Sequence, residues 1–160
     1  MNVVQDSRAQ IQALTALLSM ADIAVGEAAL VLADQMDAKV AAEATALAEQ
    51  DALQALHRMH GRLSEPGQTL QPALMNQIAN QVVTVVSAVR EAERRCQSID
   101  AQIDKQRSVL QALQGRHDLL HDLHRQARDL YRAEQERREA FARDELYLAY
   151  RWAHQGRTWM

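Results

Sequence analysis

Hydrophobic positions recur along the second half of the chain at alternating steps of three and four residues. From Met75 to Trp152, seventeen of the twenty-three positions at this spacing are apolar or aromatic, and the register does not slip. A repeat of about 3.5 residues is that of a supercoiling α-helix. Pro72 suits the first turn of such a helix, and Gly115 is the one glycine between it and residue 154. The pattern predicts one long helix over residues 72–154.

The first half of the chain shows the same alternation from Ile11 to Leu63 and predicts a helix over residues 6–63. Its middle is poorly filled, because three polar residues fall on the apolar seam: Gln35, Lys39 and Glu49. A second apolar stripe lies one position along, at Met36, Val40 and Leu47. The sequence therefore leaves a local shift of register near residues 35–48 open.

Residues 64–71 separate the two patterns and contain the turn pair Pro66-Gly67. Two long amphipathic helices joined by so short a turn are expected to fold back on each other. The predicted fold is all-α: a single domain over residues 1–160, in which two long helices form an antiparallel coiled-coil hairpin. Pairing about the turn matches residue i with about residue 135 − i, which places Ile11 near His124 and Leu18 near His117.

In this pairing the first residue of the first helix lies opposite about residue 129 of the second. The longer second helix is therefore expected to overhang at its C-terminal end, over residues 130–160. All six aromatic residues of the chain lie in that segment, interleaved with arginines. Aromatic and arginine side chains dominate binding hot spots. The predicted partner-binding residues are Tyr131, Arg137, Arg138, Phe141, Arg143, Tyr147, Tyr150, Arg151 and Trp152.

Composition and charge narrow the function classes. The formal net charge is −3, so no general attraction to nucleic acid follows. The longest uncharged apolar-rich run, Val82 to Val89, is too short to cross a bilayer. The single cysteine, Cys96, suits a reducing compartment. We expect a cytoplasmic protein without membrane insertion.

Candidate chemistry is sparse. His117, His121 and His124 could share one helix face, but no second cluster completes a tetrahedral metal site, and the pair His57 and His60 is no better placed. The sequence has no H-E-x-x-H, no glycine-rich phosphate loop and no G-x-S-x-G. We therefore expect no enzyme activity, no bound metal and no cofactor.

The pattern as a whole resembles the FliJ/YscO stalk proteins of flagellar and virulence type III secretion, and most closely their Hrp-system counterparts in plant-associated bacteria. The resemblance covers chain length, two antiparallel helices with a longer second one, and an arginine- and glutamate-rich section from Arg128 to Glu145. It implies a stalk similar to the γ subunit of rotary ATP synthases. Such a stalk inserts its terminal end into a hexameric secretion ATPase and links the ring to the export gate, at the cytosolic face of the secretion apparatus. Secretion chaperones are further partners that the resemblance implies.

Two other interpretations remain. A self-assembling coiled-coil scaffold or adaptor would use residues 130–160 to pair with further copies of the chain. A secretion chaperone is a weaker alternative, because such proteins are usually more compact than a pair of long helices.

Overall fold

The fold is a hairpin of two long helices, seen in a computed structural model that describes residues 3–67 and 71–155. Helix α1 spans Val3–Leu63 and helix α2 spans Pro72–Gln155, with 61 and 84 residues. The two helices pack against each other, and no strand occurs in the described ranges. The predicted all-α class, with its longer second helix, is confirmed.

The helix ends follow from local capping chemistry. α1 begins three residues before the predicted position 6, which places Asp6 in the first turn, where a carboxylate stabilises the positive end of the helix dipole. At the other end, the Ser64 amide donates to the carbonyls of His60 and Gly61. Gly67 has a φ of 100°, a left-handed conformation that glycine adopts without steric cost.

The second helix begins where the sequence pattern places it. The Met75 amide donates to the Gln71 carbonyl at 3.1 Å, so Gln71 caps the helix and Pro72 occupies the first helical position. The helix ends at Gln155, one residue beyond the predicted 154. Residues 156–160, including the predicted end of the overhang, lie outside the described residues, as do residues 68–70 of the turn.

Contacts divide the chain into two units, each built from both helices. One unit comprises Met1–Val25 with Ala112–Met160, and the other comprises Gly26–Gln111. The buried apolar residues in the described ranges all belong to the 26–111 unit and all occupy predicted seam positions: Ala28, Ala42, Ile78, Val89, Ala92 and Ile103. Three of the six are alanines, because a small side chain is readily covered once two helices approach closely.

Within the 26–111 unit, the middle of α1 keeps the seam register, and the alternative stripe faces solvent. Met36, Val40 and Leu47 are 48%, 66% and 59% exposed. The polar seam residues Gln35 and Lys39 are the ones partly covered. The local register shift that the sequence left open does not occur.

Polar contacts across the helices explain why the seam tolerates Lys39 and Gln106. Lys39 Nζ lies 2.6 Å from Asp100 Oδ1, and Gln106 Nε2 donates to the Ala28 carbonyl at 3.1 Å. The hydrogen bond to Asp100, followed by the charge of that carboxylate, raises the pKa of Lys39 above its usual 10.5. The charged Lys39 therefore stabilises the fold at pH values below 10.5, and this contribution to stability is lost as the pH rises through the raised pKa of Lys39.

In the unit formed by residues 1–25 and 112–160, two histidines of α2 reach polar partners on α1. His117 Nε2 lies 2.8 Å from Asp22 Oδ1, and His124 Nε2 lies 3.1 Å from Thr15 Oγ1. Each partner is one helical turn further along α1 than the predicted neighbours Leu18 and Ile11. The imidazoles hydrogen-bond to polar groups beside the seam, which the apolar seam residues themselves do not offer.

Gln35 provides a test of the seam. Its Oε1 is buried and has no hydrogen-bond partner among the described residues. We expect Gln35→Leu to stabilise the protein, since it removes an unpaired buried acceptor that costs about 1–3 kcal/mol. The melting temperature should rise by about 2–10 °C in thermal unfolding followed by circular dichroism.

The neighbouring substitution Met36→Leu, on the exposed face, is the matched control and should leave the melting temperature unchanged. An unchanged or lower melting temperature for Gln35→Leu would show that this residue is not buried in the seam.

Candidate functional site: the exposed C-terminal segment of α2

The candidate site is the part of α2 from residue 136 to residue 154, which we call the C-terminal segment. Every residue in it is exposed. The apolar seam of the sequence continues through it at Phe141, Leu148 and Trp152, yet Phe141 and Trp152 are 68% and 79% exposed. Nothing among the described residues covers this stretch of the seam.

The apolar side chains of the C-terminal segment lie on opposite faces of the helix and do not form a single stripe. At about 100° per residue, Phe141, Leu148 and Trp152 share one face of the helix. Leu146, Tyr147 and Tyr150 lie on the opposite side and are 71%, 66% and 63% exposed. A helix that is apolar on opposite sides is normally buried on both.

The arginines of the site differ in what they contact. Arg137 and Arg138 both pair with Glu134, at 3.8 Å and 3.2 Å, so one carboxylate is shared by two positive charges. Arg143 donates from Nε to the Glu139 carbonyl at 3.3 Å. Arg151 is exposed. Arg137, Arg138 and Phe141 also border a shallow depression together with Ala142 and Glu145.

Tyr131 is set apart from the other predicted site residues. It is only partly exposed, and it lines a groove together with Arg8 and Ile11 of α1 and Arg128 and Arg132 of α2. The structure therefore places Tyr131 at the contact between the helices, whereas the remaining eight predicted residues lie in the C-terminal segment. Leu146 and Leu148 are also exposed in the C-terminal segment. The sequence prediction does not include them, because it rests on aromatic and arginine side chains.

Aromatic contacts within the segment are local. The ring centroids of Tyr150 and His154 lie 4.0 Å apart, and His154 Nδ1 lies 3.0 Å from the Tyr150 carbonyl. These contacts join neighbouring turns of one helix and leave both side chains accessible.

The histidines considered for metal binding act between the helices. Besides Asp22, His117 contacts Asp118 Oδ1 through Nδ1 at 3.3 Å, and its ring stacks on that of His121 at 6.5 Å. Among residues 3–67 and 71–155, no group of three or more His, Cys, Asp or Glu side chains is placed to hold a metal ion. The geometry gives His117 and His124 a role in helix pairing.

One helix meets the length and composition of a membrane span. An 18-residue window of α1 near the N-terminus has a mean hydropathy of 1.8, and 6% of it is buried. Exposed side chains on this part of α1 include Met20 and Ile23. This window is longer than the uncharged run Val82 to Val89 and lies on the other helix.

Comparison of the chain with protein-family models, curated proteins and solved structures finds no match.

The exposure of the C-terminal segment has a direct consequence for stability. We expect the double substitution Phe141→Ala with Trp152→Ala to change the free energy of unfolding by no more than about 0.5 kcal/mol, because neither side chain is buried. Denaturant unfolding followed by circular dichroism measures this.

Ile103→Ala is the positive control. Its side chain is 3% exposed, and its truncation should cost about 2–5 kcal/mol. A comparable loss in the double variant would mean that the C-terminal segment packs against the rest of the chain.

Proposed function

We propose that the protein is the non-enzymatic central stalk of a type III secretion ATPase. The end of the molecule that carries the C-terminal segment would insert into the pore of the hexameric ring. The other parts would link the ring to the export gate and contact secretion chaperones, at the cytosolic face of the secretion apparatus. The sequence resemblance to FliJ/YscO stalk proteins motivates this proposal.

The observation that carries the proposal is the distribution of apolar groups around the C-terminal segment. A helix bound along one side needs one apolar face, as in a coiled coil. Here Phe141 and Trp152 lie on one face, and Tyr147 and Tyr150 lie on the opposite one, all of them exposed. A pore contacts an inserted helix from all sides, so enclosure would cover both faces at once.

The proposed role is mechanical. The raised pKa of Lys39 comes from its ion pair with Asp100, which joins the two helices. A stalk transmits force and position between partners and needs no reactive group of its own.

A self-assembling scaffold is the second candidate, and the continued seam favours it. Phe141, Leu148 and Trp152 keep the heptad spacing of the paired helices and could pack against a second copy. In that case the opposite face, with Tyr147 and Tyr150, would remain in solvent.

Paired alanine variants separate the two functions. The secretion ATPase encoded with this protein would be titrated with the stalk, while its hydrolysis rate and binding are measured. We expect saturation at one stalk per six ATPase subunits. Phe141→Ala with Trp152→Ala, and separately Tyr147→Ala with Tyr150→Ala, should each weaken binding by about 30-fold, as hot-spot truncations of about 2 kcal/mol do.

The control is Val83→Ala, which truncates a 70% exposed apolar residue of the 26–111 unit and should leave binding unchanged. The scaffold function is correct if light scattering shows an oligomer of the unsubstituted protein, if Phe141→Ala with Trp152→Ala abolishes this oligomer, and if Tyr147→Ala with Tyr150→Ala leaves it intact. A protein that neither binds the ATPase nor alters its rate contradicts the stalk.

A further inference from the structure

A groove with arginines on both of its edges runs between the helices in the unit formed by residues 1–25 and 112–160. Its volume is about 610 Å³, and it is lined by Arg8, Ile11, Gln12, Arg128, Tyr131, Arg132 and Gln135. Ile11, Tyr131 and Gln135 are partly covered and form the floor. The arginines are exposed, with Arg8 on the α1 edge and Arg128 and Arg132 on the α2 edge.

These three arginines have no internal counter-charge. No ion pair or hydrogen bond joins Arg8, Arg128 or Arg132 to another group in the described ranges 3–67 and 71–155, whereas Arg125, Arg137 and Arg138 nearby are all paired with carboxylates. No carboxylate lines the groove. The groove is therefore lined by three guanidinium groups that have no ion pair in the described ranges, an arrangement that favours a negatively charged ligand.

The spacing and shape of the groove indicate what it binds. Arg128 and Arg132 are four residues apart on α2, which corresponds to about 6 Å along the helix axis. Carboxylates four residues apart on a second helix have the same spacing, and guanidinium groups bind carboxylates through two parallel hydrogen bonds. The apolar floor of Ile11 and Tyr131 would accept the apolar stripe of such a helix.

We propose that this groove binds an acidic amphipathic helix of a partner protein, which packs as a third helix against α1 and α2. Charged residues beside a helical seam set the choice of partner in coiled coils. A free phosphate group is a poorer match, because the guanidinium groups stand on both edges of an open trough with an apolar floor. A flat lipid surface does not reach the floor of a concave groove.

The proposal does not depend on the stalk function, and its test uses the purified protein with synthetic peptides. A fluorescent three-heptad peptide with leucines on one stripe and glutamates beside them is the probe. The same peptide with lysine in place of every glutamate is the control. We expect the acidic peptide to bind about 3- to 100-fold more tightly in fluorescence anisotropy, which is the combined effect of three exposed ion pairs of modest strength. The preference should weaken as salt is raised.

The triple variant Arg8→Gln, Arg128→Gln, Arg132→Gln should lose about tenfold in affinity for the acidic peptide. A matched variant, Arg62→Gln, Arg90→Gln, Arg95→Gln, removes the same charge from exposed positions of the other unit and should bind normally. The charge-reversed variant Arg8→Glu, Arg128→Glu, Arg132→Glu should prefer the lysine peptide. Circular dichroism verifies that each variant remains helical.

Several results would overturn the proposal. Equal binding of the acidic and basic peptides would exclude charge recognition. Equal loss in the two triple variants would exclude this groove as the site. Binding of vesicles containing anionic lipid, or of inorganic phosphate, in the absence of peptide binding would assign the arginines to a different ligand.

Discussion

The apolar seam between α1 and α2 is the contact on which the fold depends. Long helices with one apolar stripe gain most of their stability from packing that stripe against a partner. The six buried apolar residues all lie on this seam. Because two packed helices have no third layer to cover their outer faces, most side chains in the described ranges remain exposed.

Polar residues in the seam give the pairing its register. An alanine-rich stripe can slide by a turn with little change in buried area, since successive turns bury similar groups. The contacts of Lys39 with Asp100 and of His117 with Asp22 are specific to one alignment within their respective units. Such contacts contribute more to the choice of alignment than to stability, as polar residues at coiled-coil core positions do.

The helices and the seam could be predicted from residue periodicity alone, since every seam position from Ile11 to Leu56 is at least partly covered. Periodicity did not decide whether Gln35 and Lys39 or Met36 and Val40 would face α2. It scores hydrophobicity and takes no account of a long polar side chain such as that of Lys39, which reaches Asp100 across the seam. The displaced pairing of His117 and His124 has the same origin, because it depends on the polar groups beside the seam.

The arginine groove could not be predicted, because it depends on which arginines lack a carboxylate neighbour in three dimensions. Sequence alone treats Arg132 and Arg138 alike, yet Glu134 neutralises Arg138, and nothing described pairs with Arg132. The two proposed surfaces would therefore attract partners by different forces. The C-terminal segment, with its exposed aromatic side chains, would rely on apolar burial, which salt does not weaken. The groove would rely on charge, which salt screens. A partner that used both surfaces would be steered to the groove first by charge and then held along the C-terminal segment by apolar contact.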